Sequence, residues 1–403
     1  MGAEVIDRDI WTAASEALLP ETIALRRAIH AEPEIGLDCP ATTAKIKEAL
    51  KGLPLELREG PSTSGLMAIL KGPSNGRTVL LRGDMDALPL NEDTDLDFRS
   101  RTSGAMHACG HDTHVAMLVG AAKALCAERE RLTGSVMFMF QPGEEGYKGA
   151  KFMIEDGLLD NPSPDAAFAL HINPNIPSGI LAAKDGALLA SADTIVIKVR
   201  GAGGHAAMPY ASNDPVPIAC EIVLALQTFI TRKINTFNPA VLTIAKIEAG
   251  TTDNVIPEDV ILTGTLRTLS EATRATAHEG IARIVEHVAL AHGAKGELVI
   301  RDGYPVTVND RGVFDVAERT ARALFGDDSW MTLASPVMGA EDFSYVLHKV
   351  AGAMAFLGAT PEGGDYRTCC ALHSNRVVLD EAAMARGVAM HCAMAQALLV
   401  GED

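Results

Sequence analysis

The stretch Thr78-Val-Leu-Leu-Arg-Gly-Asp-Met-Asp86 joins a short apolar run to a run of charged residues. Its first four residues have the length and composition of a buried strand, and the rest is predicted to be a polar loop. Two further runs repeat this pattern, since Val136–Phe140 ends in Gln-Pro-Gly-Glu-Glu and Ala166–Leu170 ends in His171. Three apolar strands therefore run directly into acidic or histidine-bearing segments.

Helical patterns lie between and around these strands. Apolar residues recur at helical spacing from 114 to 131, where they predict a helix with one apolar face, and again in Val313–Phe325 and Asp380–Leu399. Strands that alternate with helices predict an α/β sheet, and the ligands of such sheets bind beyond the carboxyl ends of the strands. We therefore expect the chemistry of this protein at one edge of the sheet.

The middle of the chain follows a different order. Between residues 190 and 302 the patterns predict strand, helix, strand, strand, helix and strand, which is the order of a ferredoxin-like α+β domain. The simplest architecture has a catalytic α/β domain formed by residues 1–189 and 303–403. The segment 190–302 is then inserted as a second, smaller domain.

Composition excludes several classes of protein. The chain has 403 residues, of which 52 are acidic and 35 basic, so that its net charge is −17. A chain this acidic repels phosphate backbones and anionic lipid surfaces, and we expect no nucleic-acid or membrane partner. No uncharged apolar run reaches the ~18 to 20 residues of a membrane span. The first residues lack the pattern of a signal peptide, and the seven cysteines are sparse, which predicts a cytoplasmic protein.

Met106-His-Ala-Cys-Gly-His-Asp-Thr-His114 is the densest cluster of chemically active side chains. Cys109 and His111 can reach one metal ion if the backbone is extended, and Gly110 permits a tight turn between them. The competing interpretation is a chance loop with a reactive thiol.

Glu144, Glu145, His171 and His373 are the other candidates for metal chemistry. In an extended backbone two adjacent carboxylates point different ways, so one can bind metal while the other faces a substrate. Taken singly, the glutamates could form a solvated acidic turn and each histidine could be structural. Together with Cys109 and His111 they supply five metal donors besides Glu144, more than the four of a structural zinc site. Five donors suit two metal ions that share a bridging group and leave positions open.

The predicted inserted domain holds a further histidine, an asparagine and an arginine with possible roles. Gly201-Ala-Gly-Gly-His205 is a poor dinucleotide fingerprint, but it could bring His205 close to a substrate. Arg267, in the same domain as Asn254, could bind a substrate carboxylate, although a surface ion pair is the plainer interpretation. The motifs of serine hydrolases, P-loop enzymes and thermolysin-like proteases are absent from the sequence.

Taken together, these motifs resemble a known family over nearly the whole chain. It is the amidohydrolase branch of the aminoacylase/carboxypeptidase metallopeptidase superfamily, with hippurate hydrolases, N-acyl-amino-acid deacylases and indole-acetyl-amino-acid hydrolases. The stretches that carry the resemblance are His30-Ala-Glu-Pro-Glu34, Arg82-Gly-Asp-Met-Asp-Ala-Leu-Pro89, His107-Ala-Cys-Gly-His-Asp-Thr-His114, Phe140-Gln-Pro-Gly-Glu-Glu-Gly146, Leu170-His-Ile-Asn-Pro174, Gly203-Gly-His-Ala-Ala207, Asn254-Val-Ile-Pro257, Gly339-Ala-Glu-Asp-Phe-Ser344 and Leu372-His373.

The resemblance implies a zinc-exopeptidase-like α/β domain carrying an inserted lid that also forms a dimer, or a dimer-based tetramer. It implies that Glu144 is the general base and that Asp86 supports the metal site from behind. His205 would act near the developing oxyanion in the partner subunit's site, while Asn254 and Arg267 would hold the substrate carboxylate. The implied ligands of two divalent ions (Zn, Mn, Ni or Co) are Cys109, His111, Glu145, His171 and His373.

The implied activity is hydrolysis of N-acyl-L-amino acids, such as hippurate or acetyl and aryl-acyl conjugates, by a metal-bound hydroxide. The products are a carboxylic acid and a free amino acid. One departure bears on the substrate, because Asp84-Met-Asp86 stands where the peptidase branches have a His-x-Asp ligand pair. Together with Cys109, this favours acyl-amino acids over peptides. The alternatives are a dipeptidase or carboxypeptidase of the same superfamily and a non-catalytic binder of small acids.

Overall fold

The computed structural model describes residues 6–401. These residues form two compact units. The first comprises the described part of Met1–Leu188, Val308–Ser335 and the described part of Asp342–Asp403, and the second comprises Leu189–Thr307 and Pro336–Glu341. The sequence interpretation places Pro336–Glu341 in the catalytic domain, but in the structure this segment groups with the second unit. No local pattern reveals that a later segment packs with an earlier one.

The two units contain the following secondary structure. The α-helices are α1 (Arg8–His30), α2 (Pro40–Ala49), α3 (His111–Ala127), α4 (Gly149–Glu155), α5 (Pro215–Lys233), α6 (Glu271–Ala291), α7 (Arg311–Phe325), α8 (Ser344–Leu347) and α9 (Ala383–Val400). The strands are β1 (Leu55–Glu59), β2 (Leu66–Lys71), β3 (Ser74–Asp84), β4 (Thr133–Gln141), β5 (Ala166–Asn173), β6 (Leu181–Ala183), β7 (Gly186–Leu189), β8 (Asp193–Arg200), β9 (Gly204–His205), β10 (Ala240–Ala249), β11 (Val255–Ile256), β12 (Asp259–Thr268), β13 (Lys295–Asp302), β14 (Thr307–Asn309), β15 (Trp330–Thr332) and β16 (Gly352–Gly358).

The first unit is built on an eight-stranded sheet of order β1-β2-β4-β3-β5-β16-β6-β15. Strands β4, β3, β5 and β16 run parallel, whereas β2 is antiparallel to β4 and β6 is antiparallel to β16. The parallel strands are buried on both faces, which explains their continuous apolar runs. The predicted α/β class is confirmed, with a sheet that is mixed at both edges.

The polar loop predicted to begin at Arg82 is wrong at its start, because Arg82 and Asp84 belong to a strand. Strand β3 continues to Asp84, and both Arg82 and Asp84 are fully buried within it. Charged side chains remain in a strand interior when they are paired there, so polarity alone did not mark the end of this strand.

Helix α3 also differs from its prediction. It begins at His111 rather than His114, and it is buried on nearly all sides rather than on one face. The reason is that α3 packs against β3 and also against α1 and α9, which leaves no solvated side. The start at His111 places the second half of the Met106–His114 cluster within a helix.

The second unit has the predicted ferredoxin-like arrangement. Its sheet has the order β10-β12-β8-β13, in which neighbouring strands are antiparallel. Alternate residues of β8 and β12 are buried, because one face of each strand packs with α5 and α6 around the same core.

Two helices, α5 and α9, are long and apolar enough by composition to cross a membrane. Helix α9 is largely buried in the core of the first unit, and α5 buries one face in the core of the second. Helices that pack inside a core have the same composition, so these two carry little weight as membrane spans.

Candidate metal centre

The three parallel strands β3, β4 and β5 bring their carboxyl ends to one edge of the sheet. Asp86 follows β3, the pair Glu144–Glu145 follows β4, and His171 lies in the last part of β5. The first residue of α3, His111, lies at the same edge, because its ring donates a hydrogen bond to the backbone of Asp86. This is the edge at which the sequence analysis expected the chemistry.

Gly110 makes the turn between Cys109 and His111. Its φ of +81° lies in the left-handed region that favours glycine. A Cβ at this position would overlap Ile172 Cγ2 and lie 2.9 Å from Leu379 Cδ1. Only glycine therefore allows the thiol and the first imidazole of α3 to face the same site.

The predicted donor atoms converge in two groups of three. Cys109 Sγ lies 3.4 Å from His171 Nε2 and 3.3 Å from His373 Nε2, and His373 Nε2 lies 3.2 Å from Glu145 Oε1. The atoms of Cys109, His111 and His171 lie within 4.8 Å of one another, as do those of Cys109, Glu145 and His373. Because both groups contain Cys109, its sulfur atom would be a donor to both ions.

Backbone carbonyl groups fix the orientation of two histidines. His171 Nδ1 donates to the carbonyl oxygen of Ile172 at 2.7 Å, and His111 Nδ1 donates to that of Asp86 at 2.9 Å. Each ring therefore donates from Nδ1 and turns Nε2 towards the site, as metal-binding histidines do. His111 Nε2 is buried and has no hydrogen-bond partner within residues 6–401.

These donors fit divalent metal ions. A buried imidazole lone pair without a partner is costly unless a ligand satisfies it. Thiolate, imidazole and carboxylate together suit ions such as Zn, Co, Ni and Mn. The side chains that converge here include the five ligands predicted from the sequence, and their role as ligands stays a prediction.

Asp86 holds the turn that carries both glutamates. Its Oδ1 accepts the backbone N–H of Glu144 at 2.9 Å, and its Oδ2 accepts that of Glu145 at 3.0 Å. With its carbonyl group bound to His111, Asp86 links the turn after β4 to the start of α3. Glu144 is itself buried, with 6% of its surface exposed.

The site favours positive charge. Hydrogen bonds to Cys109 and Glu145 raise the pKa of His373 to about 10. Burial lowers the pKa of His111, but Asp84 and Cys109 outweigh it and hold that pKa well above its usual range. Burial raises the pKa of Glu145, yet the hydrogen bond from His373 brings it below its ordinary value. The anionic groups thus draw protons onto His111 and His373, and a metal ion would replace those protons. Burial and the neighbouring His114 instead hold the pKa of His171 well below its ordinary value.

His114, the third histidine of the cluster, cannot be a donor in this arrangement. Its Nε2 accepts the backbone N–H of Ile172 at 2.8 Å, and its Nδ1 donates to Asp84. Both ring nitrogens are used, so His114 is a structural residue. The sequence carries no signal that separates His111 from His114, since the difference lies in which partners each ring meets.

His205, Asn254 and Arg267 belong to the second unit and are not among these donors. His205 is exposed on β9, and its Nδ1 accepts the N–H of Ala207 at 3.0 Å. With Nδ1 as the acceptor, the ring carries its proton on Nε2. Asn254 is exposed beside β11, and Arg267 is half-buried in β12, where burial lowers its pKa.

The chain is similar to known proteins over most of its length. The model of peptidase family M20/M25/M40 matches residues 80–397. "Thermostable carboxypeptidase 2" of Saccharolobus solfataricus is 38% identical, over 93% of this chain and 94% of that protein. "IAA-amino acid hydrolase ILR1-like 2" of Arabidopsis thaliana is 35% identical, over 95% of this chain and 86% of its own length. A solved Bacillus subtilis structure described as a dinuclear metal-binding peptidase superposes with a TM-score of 0.83 at 31% identity, covering 96% of this chain and 99% of that one.

Proposed function

The chain belongs to peptidase family M20/M25/M40, and we propose that it hydrolyses N-acyl-L-amino acids to a carboxylic acid and a free amino acid. The observation that carries this proposal is the pair of donor groups that share Cys109, directly beside the buried Glu144. The similarity to an IAA-amino acid hydrolase supports the substrate class.

Cys109, His111, Glu145, His171 and His373 would hold two divalent ions (Zn, Mn, Ni or Co). When bound, such a pair of ions supplies Lewis-acid chemistry that polarises a carbonyl group and acidifies water. Glu144 would take the proton of the attacking water and deliver it to the leaving nitrogen, a role that contributes ~10² to 10⁴-fold to the rate. Asp86 would keep Glu144 in place through its backbone N–H.

The second unit would supply the groups that bind the substrate. The Nε2 proton of His205 suits a donor to the oxyanion, a contact worth about 3 to 4 kcal/mol per donor in hydrolases. Arg267 and Asn254 would bind the carboxylate of the amino-acid half, since a guanidinium group matches a carboxylate with two parallel hydrogen bonds.

We further propose that the second unit pairs with a second copy of the chain. Its edge strand β10 exposes Val241 and Ile247, and Leu224 of α5 and Phe237 are 68% and 91% exposed. An apolar patch beside an unpaired strand edge fits a self-complementary contact. A Phe237→Asp variant should sediment as a monomer where the parent protein sediments as a dimer or tetramer. A dimeric variant would contradict this surface assignment.

His205 would then act in the site of the second copy. Mixtures of a Glu144→Ala protein and a His205→Ala protein should regain activity after subunit exchange, because one hybrid site would contain both groups. The same mixture without exchange should stay inactive. No recovery after proven exchange would contradict a shared site.

The substrate class is tested with a panel of N-acetyl-, N-benzoyl- and indole-acetyl-amino acids together with dipeptides and blocked dipeptides. Protein stripped of metal is assayed alone and with each of Zn, Mn, Ni and Co. Metal-restored release of an amino acid from an acyl conjugate is the expected result. Activity on blocked dipeptides alone would favour the carboxypeptidase alternative, which the 38% identity to a carboxypeptidase supports.

The role of Glu144 is tested by Glu144→Gln. This change should lower kcat by ~10² to 10⁴-fold, because the amide cannot accept the proton, while the metal content stays unchanged. Glu155→Gln is the matched control, since Glu155 is 55% exposed at the end of α4, and it should retain full activity. A Glu144→Gln enzyme with normal kcat would exclude Glu144 as the base.

We also place the protein in the cytoplasm. Its sparse set of cysteines supports this, because the seven described thiols are all free in the structure and thiols stay reduced in that compartment. A fractionation experiment with an antibody against the protein tests the location.

A further inference from the structure

A buried cluster of charges lies directly behind the candidate metal centre. Arg82 of β3 is completely buried, and its guanidinium group contacts three polar side chains. Its Nε donates to Gln141 Oε1 at 2.9 Å, and its two terminal nitrogens lie 2.8 Å from Asp84 Oδ2 and 3.1 Å from Asp342 Oδ1. A planar guanidinium group donates from three separate nitrogens at fixed angles, whereas an ammonium group donates from a single nitrogen.

Asp84 connects Arg82 to the histidine side of the centre. Its Oδ1 accepts the proton of His114 Nδ1, and its Oδ2 lies 3.4 Å from His111 Nε2. His114 in turn holds the backbone N–H of Ile172, the residue after His171. The orientation of this one carboxylate therefore bears on both histidines of the first donor group.

Asp342 connects Arg82 to the glutamate side. Its Oδ1 also accepts from Gln141 Nε2 at 2.6 Å, and its Oδ2 accepts the backbone N–H of Ala150 at 2.9 Å. Gln141 is the last residue of β4, and Ala150 lies in the first turn of α4. The turn that carries Glu144 and Glu145 is thus held at both of its ends by the same carboxylate.

We propose that Arg82 is a positioning residue of the metal centre, which acts through Asp84 on the histidine ligands and through Asp342 on the turn of the glutamates. The inference rests on the proposed function to the extent that the centre binds metal ions. Arg82, Gln141 and Asp342 lie in the motif stretches, but the sequence motifs predict a role for none of them.

The charge of the cluster supports this role. One arginine lies against two buried carboxylates, Asp84 and Asp342, next to the site. Buried ions of this kind persist only when each is paired. Arg82 thus holds both carboxylates in place through these contacts.

The test is the affinity for metal ions of an Arg82→Lys protein, measured by competition with a chromogenic chelator. Lysine keeps the positive charge but has a single nitrogen, which cannot replace the three nitrogens of Arg82 that face Gln141, Asp84 and Asp342. Loss of a group that orients ligands lowers metal affinity by ~10 to 100-fold, and we expect a loss in that range. The absorption of the cobalt-loaded protein should also change, because the geometry of the ligands around the ion has changed.

A second variant protects the test against misfolding. Gln141→Met removes one contact of the guanidinium group without altering charge, and it should weaken metal binding several-fold. Its matched control is Gln396→Met, because Gln396 is also a buried glutamine but binds Trp11 and Asp7. The control should leave metal affinity and the cobalt spectrum unchanged.

Metal affinity within twofold of the parent protein in a folded Arg82→Lys or Gln141→Met variant, with an unchanged cobalt spectrum, would overturn the proposal. An equal loss in Gln396→Met would overturn it too, since any buried change would then have the same effect. These readouts need no substrate. If the parent protein binds metal but hydrolyses no acyl-amino acid, the proposed function fails while the role of Arg82 is still decided.

Discussion

A substitution at Gly110 tests both the backbone turn within the sequence motif and the packing around it in the fold. Gly110→Ala forces an L side chain into φ +81°, which costs ~1 to 2 kcal/mol. The new Cβ would also overlap the γ2 methyl group of Ile172, a fully buried side chain with little rotational freedom. Overpacking of this kind costs ~1 to 3 kcal/mol more. We therefore expect a total loss of ~2 to 5 kcal/mol in the free energy of unfolding.

Gly52→Ala separates the two contributions. Gly52 has the same φ of +81°, but nothing lies within 4 Å of a Cβ built there. This variant should lose only the backbone cost of ~1 to 2 kcal/mol. Urea unfolding of both proteins measures the difference, which is the steric cost at Gly110.

Metal binding provides the second readout. Ile172 follows His171 and accepts its Nδ1 proton, so a shift of Ile172 moves a ligand. Gly110→Ala should therefore also bind metal more weakly, whereas Gly52→Ala should bind it normally. Equal destabilisation of the two variants, or parental metal affinity in Gly110→Ala, would refute the reasoning.

Three further predictions follow from the charges and the donors. Chelation should lower the thermal midpoint, since an ion at 100 times its Kd adds ~2.7 kcal/mol to stability; an unchanged midpoint would argue against bound metal. Metal affinity should rise with pH and binding should release protons, because His373, with a pKa of about 10, is protonated before the ion binds. Calorimetry in buffers of different ionisation enthalpy would detect the released protons. Binding without proton release would contradict the assignment of His373 as a donor. Burial raises the pKa of Asp193, but Arg274 and its other partners hold it below its usual value, so its stabilisation is complete above ~pH 4 and is lost as the pH falls through the lowered pKa. Asp193→Asn should therefore destabilise the protein by ~3 to 5 kcal/mol at neutral pH, and its stability should fall less steeply as the pH is lowered. A loss of stability in acid identical to that of the parent protein would exclude Asp193 as the cause of that loss.

The sequence by itself determined the features that are encoded locally. Apolar runs followed by polar segments located β3, β4 and β5, because strands buried on both faces need continuous apolar residues. The alternation of strands and helices between residues 190 and 302 predicted the order of the second unit. The spacing of cysteine, histidine and glutamate within short motifs predicted which residues the sheet edge brings together.

Only the tertiary structure decided which of these side chains have free donor atoms. His111 and His114 are equivalent in the motif, yet the backbone N–H of Ile172 binds Nε2 of His114. The Nε2 of His111 forms no hydrogen bond within residues 6–401. Likewise, the sequence pattern predicts a loop at Arg82, and only the fold brings Asp342, distant in the sequence, into contact with it. Hydrogen bonds and buried ion pairs depend on partners that the fold brings together, and a local pattern contains no record of them.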